Sequence, residues 1–536
     1  MAGHINRDIH HRLKEYDLNG KKVARIYVTD SREGMQLSKM EGIGSPRELE
    51  KLLTRSGFTA VYHENLTDDE LKADLLSVKQ DTEDIACLWV FVFARTDAEF
   101  VSCELGCLSI KELWRTFAAD EFENMSGKPK MFFIQAETDN EDPFVPLMSK
   151  AGGESGEDKF LRSIPISADV MVAVFPGKGR EEHLPLGSFI SDVLRNPEPQ
   201  SIYSMMAYIN GKAWSHAPRY STTFRKQLYL PPQREDADLI SGAEEANTSR
   251  KQYSFARGPG KRLAYSFVFK CFKYISSQEG AEADKKAIKE AAERRGFTYV
   301  DCNPHWTLTT GGMLQKLRDI AANKENADCV IIFFSTHGRM NFQYVPEIFA
   351  YDYTLSVSDL WAPFVESTGL KGKPKAFIID AGLGPKLEKG AKTGIESMDI
   401  PNIVETTATE DSDQKQSSLE GQQSAHGIEA EGGDNASQMQ DETRNEEMLH
   451  EIPHGSDMLI GIGTVKGKKA NRNVQNGYPY MQEFCRRFGD LSGSSNLLDI
   501  LIATNETVSE MKIEKKNGIR YQMPTFTSSL RKEWIL

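Results

Sequence analysis

At 536 residues the chain exceeds what one hydrophobic core ordinarily organises, so two domains joined by linkers are expected. A formal net charge of -13 argues against nucleic acid or an anionic membrane as the main partner, and no apolar run approaches the length of a membrane span. The seven cysteines (Cys87, Cys103, Cys107, Cys271, Cys302, Cys329 and Cys485) are odd in number and set mostly among apolar residues. Together with opening residues that lack a signal peptide's apolar core, they point to reduced thiols and a cytoplasmic setting. Cys103 and Cys107 have no second ligand pair beside them, and neither metal nor cofactor is expected.

Lys22 to Val28 reads as a strand, and Ser45-Pro46-Arg47-Glu48 as the start of a helix with a serine cap, a proline at its first position and a glutamate closing a capping box. That helix ends at Ser56-Gly57-Phe58. A second strand follows, and Thr67-Asp68-Asp69-Glu70 opens another capped helix. Cys87 to Ala94 is short and apolar throughout, which marks a central strand buried on both faces. GKPKMFFIQAETD, Gly127 to Asp139, has the same character and ends abruptly in small and polar residues. Ile164 to Phe175 supplies one more buried strand, then a loop from Pro176 to Leu186, a helix near Gly187, a helix from Ser201 to Trp214 and a closing strand containing Phe224 to Leu230. Strands alternating with helices predict an α/β fold with a mostly parallel, doubly wound sheet.

Residues 231–261 are polar and without periodicity, which reads as an interdomain linker between a first domain at 1–230 and a second at 262–536. From Arg262 the order of elements repeats, including a second copy of the apolar stretch, GKPKAFIIDAGLG, Gly372 to Gly384. Repetition on this scale means a duplicated domain. The copies differ most at about 390–447, an acidic tract rich in Ser, Gln and Gly that cannot bury enough apolar surface to order itself and is expected to be disordered.

Both GKPK stretches resemble the caspase signature, in which a Lys-Pro-Lys strand ends in Gln-Ala-Cys-Arg-Gly and the cysteine is the nucleophile. The resemblance extends over nearly all of both domains and implies two tandem caspase-like domains, each with a six-stranded sheet covered by helices. It places Glu137 at the nucleophile position of the first domain and Gly382 at that of the second. The family's Ser-His-Gly turn is matched by Thr336-His337-Gly338, so His337 stands where the base is expected and Gly338 beside the oxyanion hole. Thr96 takes the base position in the first domain, where a hydroxyl cannot accept a proton near neutral pH.

The same resemblance assigns a substrate pocket. Arg472 falls at one of its arginines, Gln278 replaces the other, and Asp380 replaces its glutamine, where a carboxylate is expected to oppose an incoming aspartate and to neutralise Arg472. Glu182 stands at the arginine position of the first domain, reversing the sign there. What the resemblance then implies is a catalytically silent homologue that regulates active caspases or their adaptors in cell-death or immune signalling, without nucleic acid or membrane partners. A free closing strand is expected to allow pairing with a partner, and the two domains to be able to pair within one chain. Two alternatives stand beside this: an active cysteine endopeptidase cutting after Asp, and a scaffold cut by caspases in its acidic tract, for example at Asp413 or Asp434.

Overall fold

The structure is a computed structural model; it describes residues 13–29, 44–81, 84–95, 100–117, 123–137, 163–165, 168–177, 185–195, 200–212, 218–230, 252–255, 261–342, 345–365, 367–384, 390–392, 457–465, 468–473, 475–493, 496–515 and 518–536. Twelve strands form one sheet: β1 (Lys21–Val28), β2 (Phe58–Glu64), β3 (Ile85–Arg95), β4 (Lys130–Glu137), β5 (Val170–Gly177), β6 (Arg219–Thr222), β7 (Arg262–Val268), β8 (Thr298–Asp301), β9 (Cys329–Ser335), β10 (Lys375–Asp380), β11 (Met458–Ile462) and β12 (Thr525–Ser528). Across the sheet they run β8-β7-β9-β10-β11-β12-β6-β5-β4-β3-β1-β2, so each half repeats the other's order in mirror sequence. Within each half the first five strands are parallel and the sixth is antiparallel. The fold is α/β, with a large, mostly parallel sheet flanked by helices.

The helices are α1 (Pro46–Arg55), α2 (Asp68–Lys79), α3 (Ile110–Arg115), α4 (Pro185–Leu194), α5 (Ile202–Lys212), α6 (Ala281–Arg294), α7 (Thr310–Ala322), α8 (Ala362–Val365), α9 (Pro479–Phe488) and α10 (Leu497–Glu510). Alternation along the central strands feeds two layers of core. Trp89, Phe91 and Phe93 of β3 join Ile331 and Phe333 of β9 in one apolar cluster that runs under both halves. The opposite face is divided, with Leu88, Val90 and Val92 packing beneath α2 and α3 and Val330, Ile332 and Phe334 forming a separate cluster with α7. No helix among the described residues is long and apolar enough to cross a membrane.

The halves meet where β6 pairs antiparallel with β12, Ser221 opposite Thr527. Reciprocal side-chain bonds fasten this seam: Asn210 of α5 donates to the Leu530 carbonyl at 3.0 Å and Asn505 of α10 to that of Phe224 at 3.4 Å. Gln227 reaches Asp499 of α10 at 2.5 Å, while Ser204 of α5 reaches Glu533 at 2.7 Å. Both closing strands are therefore used on each other.

Several local expectations change. The closing strand is Arg219–Thr222, not the stretch from Phe224 onward, because Phe224 turns back to bond the Thr222 hydroxyl and Arg225 is drawn to Asp169. Tyr229–Leu230 pairs separately with Gln200–Ser201. The run from Ile164 splits in two at Asp169, whose φ of 65° interrupts extended backbone, and Ser163–Pro165 pairs instead with Gly390–Lys392. Residues 393–456, with Asp413 and Asp434, lie outside the described residues. The box at Thr67 forms with Glu70, whereas Glu48 leaves the Ser45 cap half made and pairs with Arg195. Tyr253, within the stretch read as a linker, is buried and donates to Asp457 at 2.6 Å.

The GKPK lysines have a structural task. Lys130 donates to the carbonyls of Met125 and Lys128, both at 2.9 Å, and Lys375 to those of Leu370 and Lys373 at 3.1 and 2.8 Å. Burial draws each ammonium down to about 8. Each thus ties a strand to the turn before it.

Candidate active-site region at the carboxyl edge

Strands β9 and β10 lie side by side, with Ser335 in register with Asp380, and deliver two turns to the same edge of the sheet. The first is Thr336-His337-Gly338. Thr336 is buried, its hydroxyl donating to the Phe349 carbonyl at 2.7 Å and its amide to the Asp380 carbonyl at 3.2 Å. Phe349 in turn donates its amide to the His337 carbonyl at 2.9 Å, so the backbone on both sides of the imidazole is fixed. The ring is half-buried, tilted against Phe272 with centroids 4.9 Å apart, and its Nε2 has no hydrogen-bond partner. Burial first, and then Arg472, holds it down at about 4, partly offset by a backbone hydrogen bond at Ser276. His337 is consequently a neutral imidazole at physiological pH, and a weak base.

The second turn is Ala381-Gly382. It touches the first: a Cβ at Gly338 would stand 2.7 Å from the Gly382 carbonyl oxygen, so glycine there is a requirement of close backbone approach. Gly382 offers no side chain to His337. A Cβ built on it would lie 3.3 Å from the Ala470 amide, close beneath the loop that carries Arg472. Burial pushes the thiols of Cys87, Cys302 and Cys329 up to about 12 and that of Cys103 to about 11, and raises Cys485 as well, which leaves them poor nucleophiles. Cys271 is half-buried and Cys107 exposed; the charged groups that act on His337 are Arg472 and Lys469.

A caspase-domain family model matches residues 46–181 and 263–535, which take in both GKPK strands and the His337 turn. The chain belongs to the caspase family. Caspase-6 of Bos taurus is 25% identical over 266 residues, covering 48% of this chain and 77% of that protein. Caspase-8 of Mus musculus is 25% identical over 333 residues, covering 57% and 58% respectively. Among solved structures, the crystal structure of caspase-1 from Spodoptera frugiperda aligns over 54% of this chain and 93% of its own, at 19% identity and a TM-score of 0.38.

Within this caspase-family chain the pocket positions come together around a residue the sequence reading overlooked. Asp284, in the first turn of α6, accepts from Ser335 Oγ and Gln482 Nε2, both at 2.7 Å, and from the Tyr478 amide at 3.2 Å. Gln278 sends its Nε2 to the same Ser335 hydroxyl at 3.1 Å. Burial outweighs these bonds and the pull of Arg472, pushing Asp284 up to about 7. Its signal in the sequence was a lone acid four residues after Gly280 on an otherwise apolar helix face, and that pattern was not distinctive.

Asp380 does not neutralise Arg472 as expected. Its Oδ2 accepts from the Met481 amide in the first turn of α9 at 2.9 Å, and its Oδ1 has no partner. Burial, then the nearby Asp284, raises it well above the usual carboxylate range. Of the two carboxyls, Asp284 is the one whose proton affinity Arg472 lowers, and the same guanidinium acts on the Tyr478 hydroxyl in the same sense. The Asp380 side chain is held at the helix start by the Met481 amide.

The corresponding place in the N-terminal half is occupied by Gln135, buried on β4, with Nε2 donating to the Phe175 carbonyl at 3.1 Å and Oε1 accepting from the Leu186 amide at 3.0 Å. Glu137 is the last residue of β4, its backbone in register with Arg95 and Gly177. Thr96 and Glu182 lie outside the described residues. Among the described residues no cluster of His, Cys, Asp and Glu could hold a metal ion.

Proposed function

We propose that this caspase-family chain cleaves no peptides and acts by binding, regulating active caspases or the adaptors that assemble them. The observation that carries the reading is Gly382: acyl transfer of this type needs a thiolate beside the base, and the nucleophile position has no side chain at all. A second feature supports it. His337, at about 4, would be slow to take a proton from any thiol brought near it, since efficient general bases titrate close to the working pH. Loss of a nucleophile from a site of this kind costs on the order of a million-fold in rate.

The seam between β6 and β12 shapes how such binding would occur. With both closing strands engaged within the chain, a partner would meet other surfaces. The test has two arms. Incubating the full chain with a halomethyl ketone ending in aspartate, followed by intact-mass measurement, is expected to leave it unmodified; an adduct on any cysteine together with turnover of an aspartyl peptide would make the chain a peptidase. Recovery of a caspase or caspase adaptor with the tagged chain from cells is the expected result of the second arm, and a set of partners lacking both would remove the regulatory reading.

A further inference from the structure

We infer that the seam face of the C-terminal half is selective: it accepts a face that brings hydrogen-bond donors to two particular places and rejects a second copy of itself. The two halves correspond position by position at the seam. Their tails, 218–230 and 524–536, match without gaps from Pro218 and Pro524 through Arg225 and Arg531, which puts Gln227 and Glu533 at one position. Helices α5 and α10 correspond as well. Asn210 and Asn505 each donate to the same place on the opposite tail, the carbonyls of Leu530 and Phe224, and at the helix starts the Ile202 amide reaches the Leu228 carbonyl as that of Leu497 reaches Trp534. Ser204 and Asp499 therefore occupy one position.

Most of the seam is indifferent to which halves meet. Backbone bonds pair the strands with Ser221 opposite Thr527, and the two asparagine bonds are alike from either side. The remaining pair of contacts is not alike. Within the chain each tail meets the other half's helix, so that Ser204 donates to Glu533 and Gln227 Nε2 donates to Asp499. The same two-fold relation applied to two N-terminal halves would set the Ser204 hydroxyl against the Gln227 amide, and each of these can donate or accept. Applied to two C-terminal halves it would set Asp499 against Glu533, twice over. Glu533 is buried and Asp499 half-buried, and an ionised carboxylate brings no donor. Each acid would lose its present donor and gain a like charge in its place, a juxtaposition that costs several kcal/mol at an interface. The fitting partner is a caspase-type half with a hydroxyl or amide at both places, as the N-terminal half has, and the repulsion supplies the specificity.

The full chain can be made to test this on itself. Ser204→Asp together with Gln227→Glu gives the N-terminal half the carboxyls of the C-terminal one, so the chain's own seam reproduces the contact between two C-terminal halves. Hydrogen exchange followed by mass spectrometry is expected to show the β6 and β12 amides exchanging about a hundredfold faster than in the parent, with those of β3 and β9 unmoved. Adding Asp499→Ser and Glu533→Gln to the same chain exchanges the chemistry of the two faces and should bring the seam amides back to within a few-fold of the parent. Where the first chain folds poorly, Gln227→Glu alone, with and without Asp499→Ser, should show the same loss and recovery at smaller scale. Unchanged exchange at β6 and β12 in the acidic variants, or faster exchange that the compensating substitutions leave in place, would overturn the proposal.

Discussion

Arg225 holds Asp169 through two hydrogen bonds, 3.0 Å from Nε and 2.6 Å from Nη2, with both side chains almost wholly shielded from water. The Tyr16 hydroxyl donates to the same carboxylate at 2.7 Å. The arrangement is repeated across the seam, where Arg531 and Tyr253 hold Asp457 at 3.0, 2.5 and 2.6 Å. Asp169 and Asp457 both sit at positive φ, and each passes its carbonyl to a GKPK lysine amide, so the pair fixes the start of β5 or β11 against β4 or β10. The Arg225 side chain is 4% exposed and that of Arg531 25%, which makes the two sites unequal. Arg225→Ala would strand a buried charge and should destabilise the N-terminal half by about 3–5 kcal/mol. Arg531→Ala should cost less, since water can reach Asp457 once the guanidinium is gone. Chemical denaturation of both variants checks the order.

Stability around Asp284 should depend on pH in a particular sense. Held up at about 7, this group keeps its proton in the folded chain after the unfolded chain has released it, so its contribution is full below the ordinary carboxylate range and is lost as pH rises to about 7. His337, held down at about 4, works in the opposite sense: its contribution is full above the ordinary imidazole range and is lost as pH falls toward 4. Asp284→Asn removes the first effect and keeps the second. The melting temperature of the variant relative to the parent should therefore climb by a few degrees between about pH 5 and pH 7.5. A flat difference would mean that Asp284 titrates normally.

Two glycine substitutions should move stability in opposite directions. Gly338→Ala forces a methyl to 2.7 Å from the Gly382 carbonyl and presses the two site turns apart, with an expected loss of about 1–3 kcal/mol. Gly311, in the first turn of α7, has nothing within 4 Å of the position a Cβ would take. Alanine there should stabilise by about 0.5–1 kcal/mol. Differential scanning calorimetry distinguishes the signs.

The seam predicts solution behaviour. With β6 and β12 paired inside one chain, the protein should sediment as a 60.2 kDa monomer at micromolar concentration. Thr527→Pro removes a donor from the middle of β12 and should loosen the halves, exposing two unpaired strand edges. Sedimentation velocity should then show dimers or larger species, and an unchanged monomer would mean that the helix contacts alone hold the seam.

Much of this was legible in the sequence for a local reason. The GKPK lysines, the apolar runs of β3, β4, β9 and β10, the Thr67 box and the turn at His337 each show themselves within a dozen residues, because strand burial and helix capping are matters of near neighbours. The closing strand was misplaced for a reason of the opposite kind. Phe224 to Leu230 has good strand composition, but Arg225 is claimed by Asp169, a partner 56 residues away that no local pattern reveals.

The sequence by itself determined the resemblance to the caspase family, and that neither GKPK stretch contains a cysteine, because residue identity and order are written in the chain directly. Only the tertiary structure decided that Asp284 joins Ser335, Gln482 and Tyr478, that Asp380 is left half-satisfied at the start of α9, and that the two closing strands consume each other. Those outcomes turn on distances between groups brought together from far along the chain, where an ångström separates a hydrogen bond from an orphaned oxygen.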